Sequence, residues 1–420
     1  MRHARSVATV ALMALALGTP ASGAIPLNEA VDLVGEVRVR EEVLRHVFGT
    51  SDPDGEQSFD YAHMRSRLGI AARLDAHTWL GVQFQDVRVL GAEGSTVAML
   101  NSVDLKQAEM RFQNLLTEGD RMHLGRFEMK FGDQRLIGAL DWADQGRSFD
   151  GLRLGLQPGN LGAEVFASRI RETGASKEDQ TLVGGTLQGA QGAFSGELLA
   201  AHLVDDKPQP GGVGDGTSAF TTLSLRIAGQ GTGWDATAEV AAQDGTLAGR
   251  SLSALAFAAT GGVRVRVGEH KLRVGAEVDG ATGDKTIGDD SVETFQTLLP
   301  TNHAHYGMAD LMAWSNMTAV SVNAKLWPSD QVTVSVAGWL FRLWTSEGGW
   351  FAAPGAQVRS GASGASKDLG SEVDLLLSWT PSERVTVQTG WAVFLSGRFV
   401  EETGASPDPL FGYVQVRVGL

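Results

Sequence analysis

The stretch Gly261–Gly280, which reads GGVRVRVGEHKLRVGAEVDG, decides the fold class. Val263, Val265 and Val267 alternate with arginines, and the same period of two resumes over residues 272–279. In a β-strand such a period sends successive side chains to opposite faces. The glycine-containing break at residues 268–270 is typical of a tight hairpin. The stretch therefore predicts two antiparallel strands with one apolar face and one charged face.

The same alternation recurs along the chain, for example at residues 223–227, 320–326 and 414–420. Counting such segments predicts about eighteen strands of about ten residues, an even number that suits a transmembrane antiparallel up-and-down β-barrel of the outer membrane. The expected strand starts lie near residues 31, 61, 77, 103, 119, 147, 160, 179, 192, 218, 232, 253, 269, 315, 330, 369, 383 and 409.

The connections between these strands alternate in length. Short turns are expected at residues 75–77, 117–120, 157–160, 228–231, 268–270, 328–330 and 380–383. Long connections rich in glycine and aspartate are expected at residues 49–60, 130–146, 204–217, 281–313, 345–368 and 396–407. Short periplasmic turns and longer outer loops give a barrel this rhythm, whereas a soluble sandwich would not keep it. Residues 25–420 are thus predicted to form one barrel domain, and we expect loop 281–313 to enter the lumen or cover its mouth.

The N-terminus indicates export. Arg2 and Arg5 precede an apolar run at residues 7–17 and small residues at 21–24, which predicts a signal peptide over residues 1–24, cleaved near Gly23 or Ala24. The apolar run is too short for a spanning helix, which needs about 20 residues. The chain has no cysteine, 53 glycines in 420 residues and a formal net charge of −14. An exported, glycine-rich β protein without disulfides is thus expected, with the bacterial outer membrane as its location.

Tryptophan placement offers a second indication, because amphipathic rings favour the membrane interface. We expect girdles from the tryptophans beside short turns (Trp79, Trp234, Trp327 and Trp379) and beside long loops (Trp314 and Trp344). Trp339 and Trp391 lie nearer mid-strand and depart from this arrangement.

If the apolar faces meet lipid, the charged faces meet the lumen. An arginine at the lipid midplane costs about 2 to 4 kcal/mol, so the many strand arginines cannot all face outwards. The predicted pore-lining set is Arg38, Arg40, Arg65, Arg67, Arg73, Arg111, Arg153, Arg264 and Arg266, together with His63, Arg226, Arg273 and Arg417. Charges act over about 8 Å at physiological salt, a distance comparable with a pore radius. Arginines in the lumen should therefore bias transport towards anions. The alternative is that these arginines pair with Glu36, Glu109, Glu277, Glu372 and Asp374 and only rigidify the wall.

Three stretches resemble the alginate-export family of outer-membrane barrels: Leu124–Gly138 (LGRFEMKFGDQRLIG), Asp141–Leu154 (DWADQGRSFDGLRL) and Leu298–Leu311 (LLPTNHAHYGMADL). The resemblance implies an eighteen-stranded monomeric barrel with an arginine-rich lumen that exports polyuronate or a related anionic polymer. By motif position, the family's basic pore residues would correspond to Arg126, Arg135, Arg147 and Arg153. The chain departs from the family in ending on Leu420 instead of an aromatic residue and in carrying several lumen acids.

Other chemistry is weaker in the sequence. His303, His305 and Tyr306, with Asp310 nearby, could be read as a transition-metal site, but their place in a loop motif favours a loop fold or pore constriction. Asp52 and Asp54 lack the spacing of a calcium loop. No catalytic motif occurs, so neither catalytic residues nor cofactors nor metals are assigned and no enzyme is expected. A triad assembled across strands from His63, His123 and Ser148 stays open.

The sequence thus predicts an outer-membrane channel for passive transport of a hydrophilic, anionic solute such as alginate or a related polyuronate. Two alternatives stay open: a barrel sheath for a partner cytochrome, whose haem would belong to the partner because this chain has no cysteine, and a general diffusion porin. Expected partners are outer-membrane lipid, an anionic polysaccharide or organic anion, and periplasmic delivery proteins. We expect a monomer and no nucleic-acid partner.

Overall fold

A computed structural model describes residues 24–48, 57–92, 103–174, 178–208, 216–353 and 355–420. The predicted signal peptide, apart from Ala24, lies outside the described residues, as do Asp52 and Asp54. The α-helix Arg398–Thr403 (α1) and the 3-10 helix Asn302–Ala304 are each one or two turns long. Among the described residues, no helix is both long and apolar enough to cross a membrane.

The described chain forms one large sheet of twenty strands. Two of them, Ile25–Pro26 and Ser291–Val292, are only two residues long, so eighteen long strands remain. In chain order these are β1 Val31–Val47, β2 Gln57–Arg73, β3 Thr78–Val89, β4 Val103–Gln113, β5 Asp120–Phe127, β6 Phe149–Leu156, β7 Leu161–Arg171, β8 Gln180–Gln191, β9 Phe194–Asp205, β10 Ser218–Gln230, β11 Trp234–Leu247, β12 Arg250–Val267, β13 His270–Ala281, β14 Met317–Trp327, β15 Val332–Leu343, β16 Asp368–Ser382, β17 Val385–Ser396 and β18 Leu410–Gly419. A separate small hairpin pairs Trp350–Ala352 with Ala356–Arg359.

Each long strand runs antiparallel to the strands before and after it in the chain. β1 also pairs with β18, from Glu36 opposite Gly419 to Arg45 opposite Leu410, which closes the sheet. The predicted eighteen-strand up-and-down barrel is therefore confirmed. The largest difference between a predicted and an observed strand start is four residues, from residue 61 to Gln57 at β2.

The two faces of the wall differ in polarity as the period of two requires. Apolar side chains such as Val322 (63% exposed) and Leu340 (64% exposed) lie on the outside. Charged neighbours such as Arg65 and Glu372, each 1% exposed, point inwards. Because the exposed face is the apolar one, the barrel presents hydrocarbon-compatible surface to lipid and polar surface to its interior.

The connections follow the predicted alternation with one exception. At one end of the barrel the turns are short, such as residues 268–269 between β12 and β13. At the other end lie the long loops of residues 128–148, 282–316 and 344–367. On that same end, β11 and β12 are joined by Ala248 and Gly249 alone, both at positive φ, as a two-residue hairpin turn needs.

The apolar core lies inside the barrel, at the end with the long loops. Buried aromatic side chains from loops and walls pack there, including Phe295, Trp314, Phe341, Trp350, Phe394 and Phe399. The prediction that Trp314 joins an interface girdle is wrong, because its loop folds inwards and leaves the ring 1% exposed. Trp234 and Trp379, near the short turns, are 37% and 47% exposed on the outside.

Candidate pore constriction

Two of the long loops, residues 128–148 and residues 282–316, meet inside the barrel. The 128–148 loop and the 282–316 loop form a short parallel bridge between Ile137 and Leu299. The Leu299 amide donates to the Leu136 carbonyl and the Gly138 amide donates to the Leu299 carbonyl, both at 2.8 Å. The 282–316 loop therefore enters the lumen, the first of the two positions expected for it.

Arg147 joins the two loops further. Its guanidinium donates to the carbonyls of Gly138, Leu299 and Pro300. Burial lowers the pKa of Arg147 to about 10, which still leaves the group charged at neutral pH. One guanidinium nitrogen of Arg147, Nη1, thus serves to join the two loops, and its pore-lining role stays a prediction.

Four predicted pore arginines lie together on β1 and β2, where Arg38 is directly opposite Arg65. All four donate to residues 141–145 of the 128–148 loop. Arg38 and Arg65 donate to the Asp141 carbonyl at 2.8 and 2.9 Å. Arg67 lies 3.1 Å from the Asp141 carboxylate, and Arg40 donates to the Trp142 carbonyl at 2.8 Å. This arginine wall therefore holds a loop segment inside the lumen.

Carboxylates neutralise much of the arginine wall. Glu36 pairs with Arg65 and lies 2.6 Å from Arg417, while Asp144 lies 2.8 Å from Arg38. The surrounding guanidinium groups, Arg65 first among them, outweigh burial and hold the pKa of Asp141 well below its usual range. The alternative expected from the sequence, arginines paired with lumen acids, is realised here at Glu36, with the loop carboxylates as additional partners, and elsewhere in the barrel at Glu109 and Glu277.

Trp142 lies between the wall and the second loop. The Arg40 guanidinium lies 3.9 Å from the centroid of the indole ring, and the His303 imidazole stacks on the indole at 3.6 Å with an interplanar angle of 6°. Tyr413 approaches the indole at 4.9 Å, edge to face. The 128–148 loop is thus held by aromatic as well as ionic contacts.

The two loop histidines have separate partners. His303 Nδ1 lies 2.8 Å from Asp310, whereas His305 Nε2 lies 3.0 Å from the Asp133 carbonyl. Burial lowers the pKa of His305 to about 4, so the imidazole is neutral and donates to that carbonyl. The described residues hold no group of three histidine or acidic side chains arranged for a metal ion. The loop motif therefore serves loop packing in this structure.

Arg135 crosses to the opposite wall. It is 3% exposed, donates to the Tyr306 hydroxyl at 2.7 Å and to Asp279 at 3.0 Å, and also pairs with Glu277 on β13. Burial raises the pKa of Tyr306 well above its usual value, so its hydroxyl stays protonated. Arg135 therefore fixes the 128–148 loop to β13 and is itself fully engaged.

The remaining predicted pore residues are dispersed. Arg153 faces inwards and forms a two-pronged pair with Glu164 at 2.8 and 2.9 Å. Arg111 pairs with Glu109, which also lies 3.1 Å from His123. Arg73 contacts the Glu29 carbonyl, and Arg264 and Arg266 lie near the short turn between β12 and β13.

The prediction that Arg126 lines the pore is wrong. It shares the outward face of β5 with the exposed Leu124, whereas Phe127 on the other face is 1% exposed. Its partner is Asp150, 2.7 Å away on the outward face of β6. Since neighbouring residues of a strand alternate between faces, Arg126 lies outside the lumen although the motif position suggested otherwise.

Several residues of the constriction were missed by sequence reasoning. Lys106, 1% exposed, donates to the Arg147 carbonyl at 2.9 Å, and its own carbonyl accepts from Ser148 at 2.7 Å. His63, which the sequence analysis did place in the lumen, lies 2.6 Å from Asp144. His63, His123 and Ser148 thus have different partners and are not brought together as a triad. The DWAD run at residues 141–144 carried the only signal for the missed loop contacts.

A family model described as alginate export matches residues 30–411. No curated protein matches the chain in sequence. Among solved structures, OccK3 (OpdO) of Pseudomonas aeruginosa is similar with a TM-score of 0.60 at 12% identity, over 92% of this chain and 95% of that one. OccAB4 of Acinetobacter baumannii gives 0.59 at 12% identity, over 94% and 100%. The outer membrane protein OprD of Pseudomonas aeruginosa gives 0.58 at 9% identity, over 92% and 94%. At these identities the likeness is one of fold.

Proposed function

Because this chain belongs to the alginate export family and is a β-barrel channel of the bacterial outer membrane, we propose that it carries an anionic polysaccharide, such as alginate or a related polyuronate, passively across that membrane. The observation that carries the proposal is the arginine wall of β1 and β2. Its guanidinium groups bind the Asp141 and Asp144 carboxylates of the chain's own loop. A uronate unit presents the same chemical group.

Transport requires binding that is weak enough to release the solute. Ionic contacts between guanidinium and carboxylate are strong when dry but modest when water reaches them. A polymer that exchanges carboxylates along a row of such groups can enter and also leave. The inward cations of β1, β2 and β18 form such a row, from Arg40 through Arg38 to Arg417.

The interior of the barrel bears on the cytochrome-sheath alternative. Met129, Phe295 and Trp314, all from the two inward loops, are at most 1% exposed within it. A cytochrome inside the barrel would require these packed loops to leave. The occupied interior therefore favours a channel for an extended solute over a sheath for a folded protein.

Planar-bilayer recording tests the proposal. We expect the reversal potential in a salt gradient to indicate anion selectivity, and we expect oligouronate to block the current while a neutral oligosaccharide of equal length does not. The double variant Arg38→Gln/Arg65→Gln should weaken the block, and Arg126→Gln, on the outward face, is the matched control. A cation-selective current indifferent to oligouronate would overturn the proposal. Unsaturable passage of neutral sugars would support a general porin instead.

A further inference from the structure

A second group of lumen cations lies between the constriction and the end of the barrel with the short turns. Arg264 on β12 is directly opposite Arg273 on β13, which is directly opposite Lys325 on β14. One step closer to the turn, Arg266 is opposite Lys271. We name these five residues the mouth patch.

The side chains of the mouth patch face the lumen. They alternate with Val263, Val265 and Val267, which are 54%, 48% and 54% exposed on the outward face. Ser321, on the same face of β14 as Lys325, is 1% exposed inside the barrel. The short turns of outer-membrane barrels lie on the periplasmic side, so the mouth patch lines the periplasmic opening.

The positive charge of the patch is mostly unbalanced. Asp235 on β11 lies 2.7 Å from Arg264 and 2.6 Å from Arg273. Within the described ranges, Arg266, Lys271 and Lys325 have no carboxylate within ion-pair distance; Lys325 lies 5.3 Å from the Trp327 ring. Five cations and one carboxylate leave an excess of four positive charges.

Such an arrangement opposes folding. Like charges directly opposite each other on neighbouring strands destabilise a sheet, and the patch contains three such pairs. Higher on β13, the lumen face carries Glu277 and Asp279, both paired with Arg135. The carboxylates of this strand at the constriction therefore share a cationic partner, whereas its cation Lys271 at the periplasmic mouth has no carboxylate within ion-pair distance among the described residues.

We propose that the mouth patch is the periplasmic binding site for the polyanion that the channel carries. Directly opposite residues lie about 5 Å apart and alternate residues of a strand about 7 Å apart, so the patch spans several carboxylates of one polymer and exceeds the reach of a single small anion. This inference rests on the proposed function. It adds a direction, because a polymer from the periplasm meets unpaired cations first, whereas one from outside meets arginines already bound to Glu36, Asp141 and Asp144.

Sided block of the current tests the patch. The mature chain with Glu269→Cys, which adds a single cysteine beside the short turn, would be inserted in planar bilayers and its orientation assigned by one-sided thiol modification. We expect oligouronate to block at lower concentration from the periplasmic side. In the triple variant Arg266→Gln/Lys271→Gln/Lys325→Gln, the half-blocking concentration from that side should rise about tenfold, which corresponds to about 1.4 kcal/mol, and the value from the other side should stay unchanged.

The matched control removes three positive charges elsewhere. Arg45→Gln/Arg126→Gln/Arg169→Gln changes three ion-paired arginines near the opposite end of the barrel and should leave the periplasmic block at its wild-type value. Equal block from both sides, or a triple mouth variant that behaves like wild type, would overturn the inference while leaving the proposed function intact. If oligouronate does not block the current of the unmodified chain from either side, the proposed function is overturned instead.

Direct binding supplies a second readout. Equilibrium dialysis of a fluorescent oligouronate against the detergent-solubilised protein should give weaker binding for the mouth variant than for the control triple variant. If an anionic phospholipid such as phosphatidylglycerol competes for the patch and oligouronate does not, the patch binds lipid and the inference is wrong.

Discussion

Replacing Trp142 by alanine removes one contact that joins the wall, the 128–148 loop and the 282–316 loop. The indole lies 3.9 Å from the Arg40 guanidinium and stacks on His303 at 3.6 Å. A cation over an indole contributes about 0.5 to 2 kcal/mol, and an aromatic pair about 0.5 to 1.5 kcal/mol. We therefore expect the variant to lose about 1 to 3 kcal/mol, or about 5- to 150-fold in the ratio of docked to released loop.

Hydrogen exchange measures this ratio directly. Backbone amides of residues 139–147, followed by mass spectrometry in detergent, should exchange faster in Trp142→Ala by that factor, because exchange proceeds through the released loop. Current noise of single channels should increase in parallel. Trp391→Ala is the matched control, since this tryptophan is 43% exposed on the outward face.

If the exchange rate of residues 139–147 in Trp142→Ala stays within about twofold of wild type, the ionic contacts of Asp141 and Asp144 alone hold the loop, and the expected contribution of the indole contacts is wrong. Faster exchange in the Trp391→Ala control as well would mean that barrel stability, not loop docking, had changed.

Three further results are expected. Arg135→Ala should lower the free energy of unfolding by about 3 to 5 kcal/mol, because buried carboxylates of the wall lose their partner. Arg126→Ala, which breaks a half-exposed ion pair on the outward face, should lower it by less than about 1 kcal/mol. Thermal unfolding in detergent distinguishes the two variants. Burial lowers the pKa of His305 to about 4, so below the ordinary histidine pKa the released loop binds a proton that the docked loop does not. Loop docking should therefore weaken by about 1.4 kcal/mol for each unit by which the pH falls from the ordinary histidine pKa to pH 4, and should not change with pH above that window. Hydrogen-exchange rates of the loop measured against pH test this expectation. Replacing residues 300–310 by a glycine–serine linker should raise single-channel conductance, and an unchanged conductance would exclude this segment from the constriction.

The barrel was accessible to sequence reasoning because its signal is local. Alternation along stretches such as residues 263–267 fixes which side chains share a face, and short turns at one end fix the antiparallel order. The same local rule would have placed Arg126 correctly, since it continues the outward series of Met122 and Leu124. The motif resemblance instead placed Arg126 in the lumen, which the alternation of faces along the strand contradicts.

The constriction was less accessible because its contacts join residues far apart in the chain. Arg38 and the Asp141 carbonyl are separated by 103 positions, and Arg135 and Tyr306 by 171. No alternation predicts where a loop of this length turns once it leaves the wall. The composition of the loops predicts that they are long. Their inward direction depends on the burial of Phe295 and Trp314, and this burial becomes favourable only inside the assembled barrel.

The contrast between the two cation groups bears on where selectivity arises. At the constriction, arginines are matched by Glu36 and the loop carboxylates, so the local field is weak beyond a few ångströms. At the periplasmic mouth, the cations lie on three neighbouring strands, so each one lies within one Debye length of about 8 Å of its nearest neighbours in the patch, and the group acts together on an approaching solute. Because a chain of net charge −14 repels polyanions on average, a local positive opening is needed for capture. Neutralising the mouth patch should therefore slow the entry of a polyanion, whereas neutralising Arg38 and Arg65 should change how long it stays in the pore.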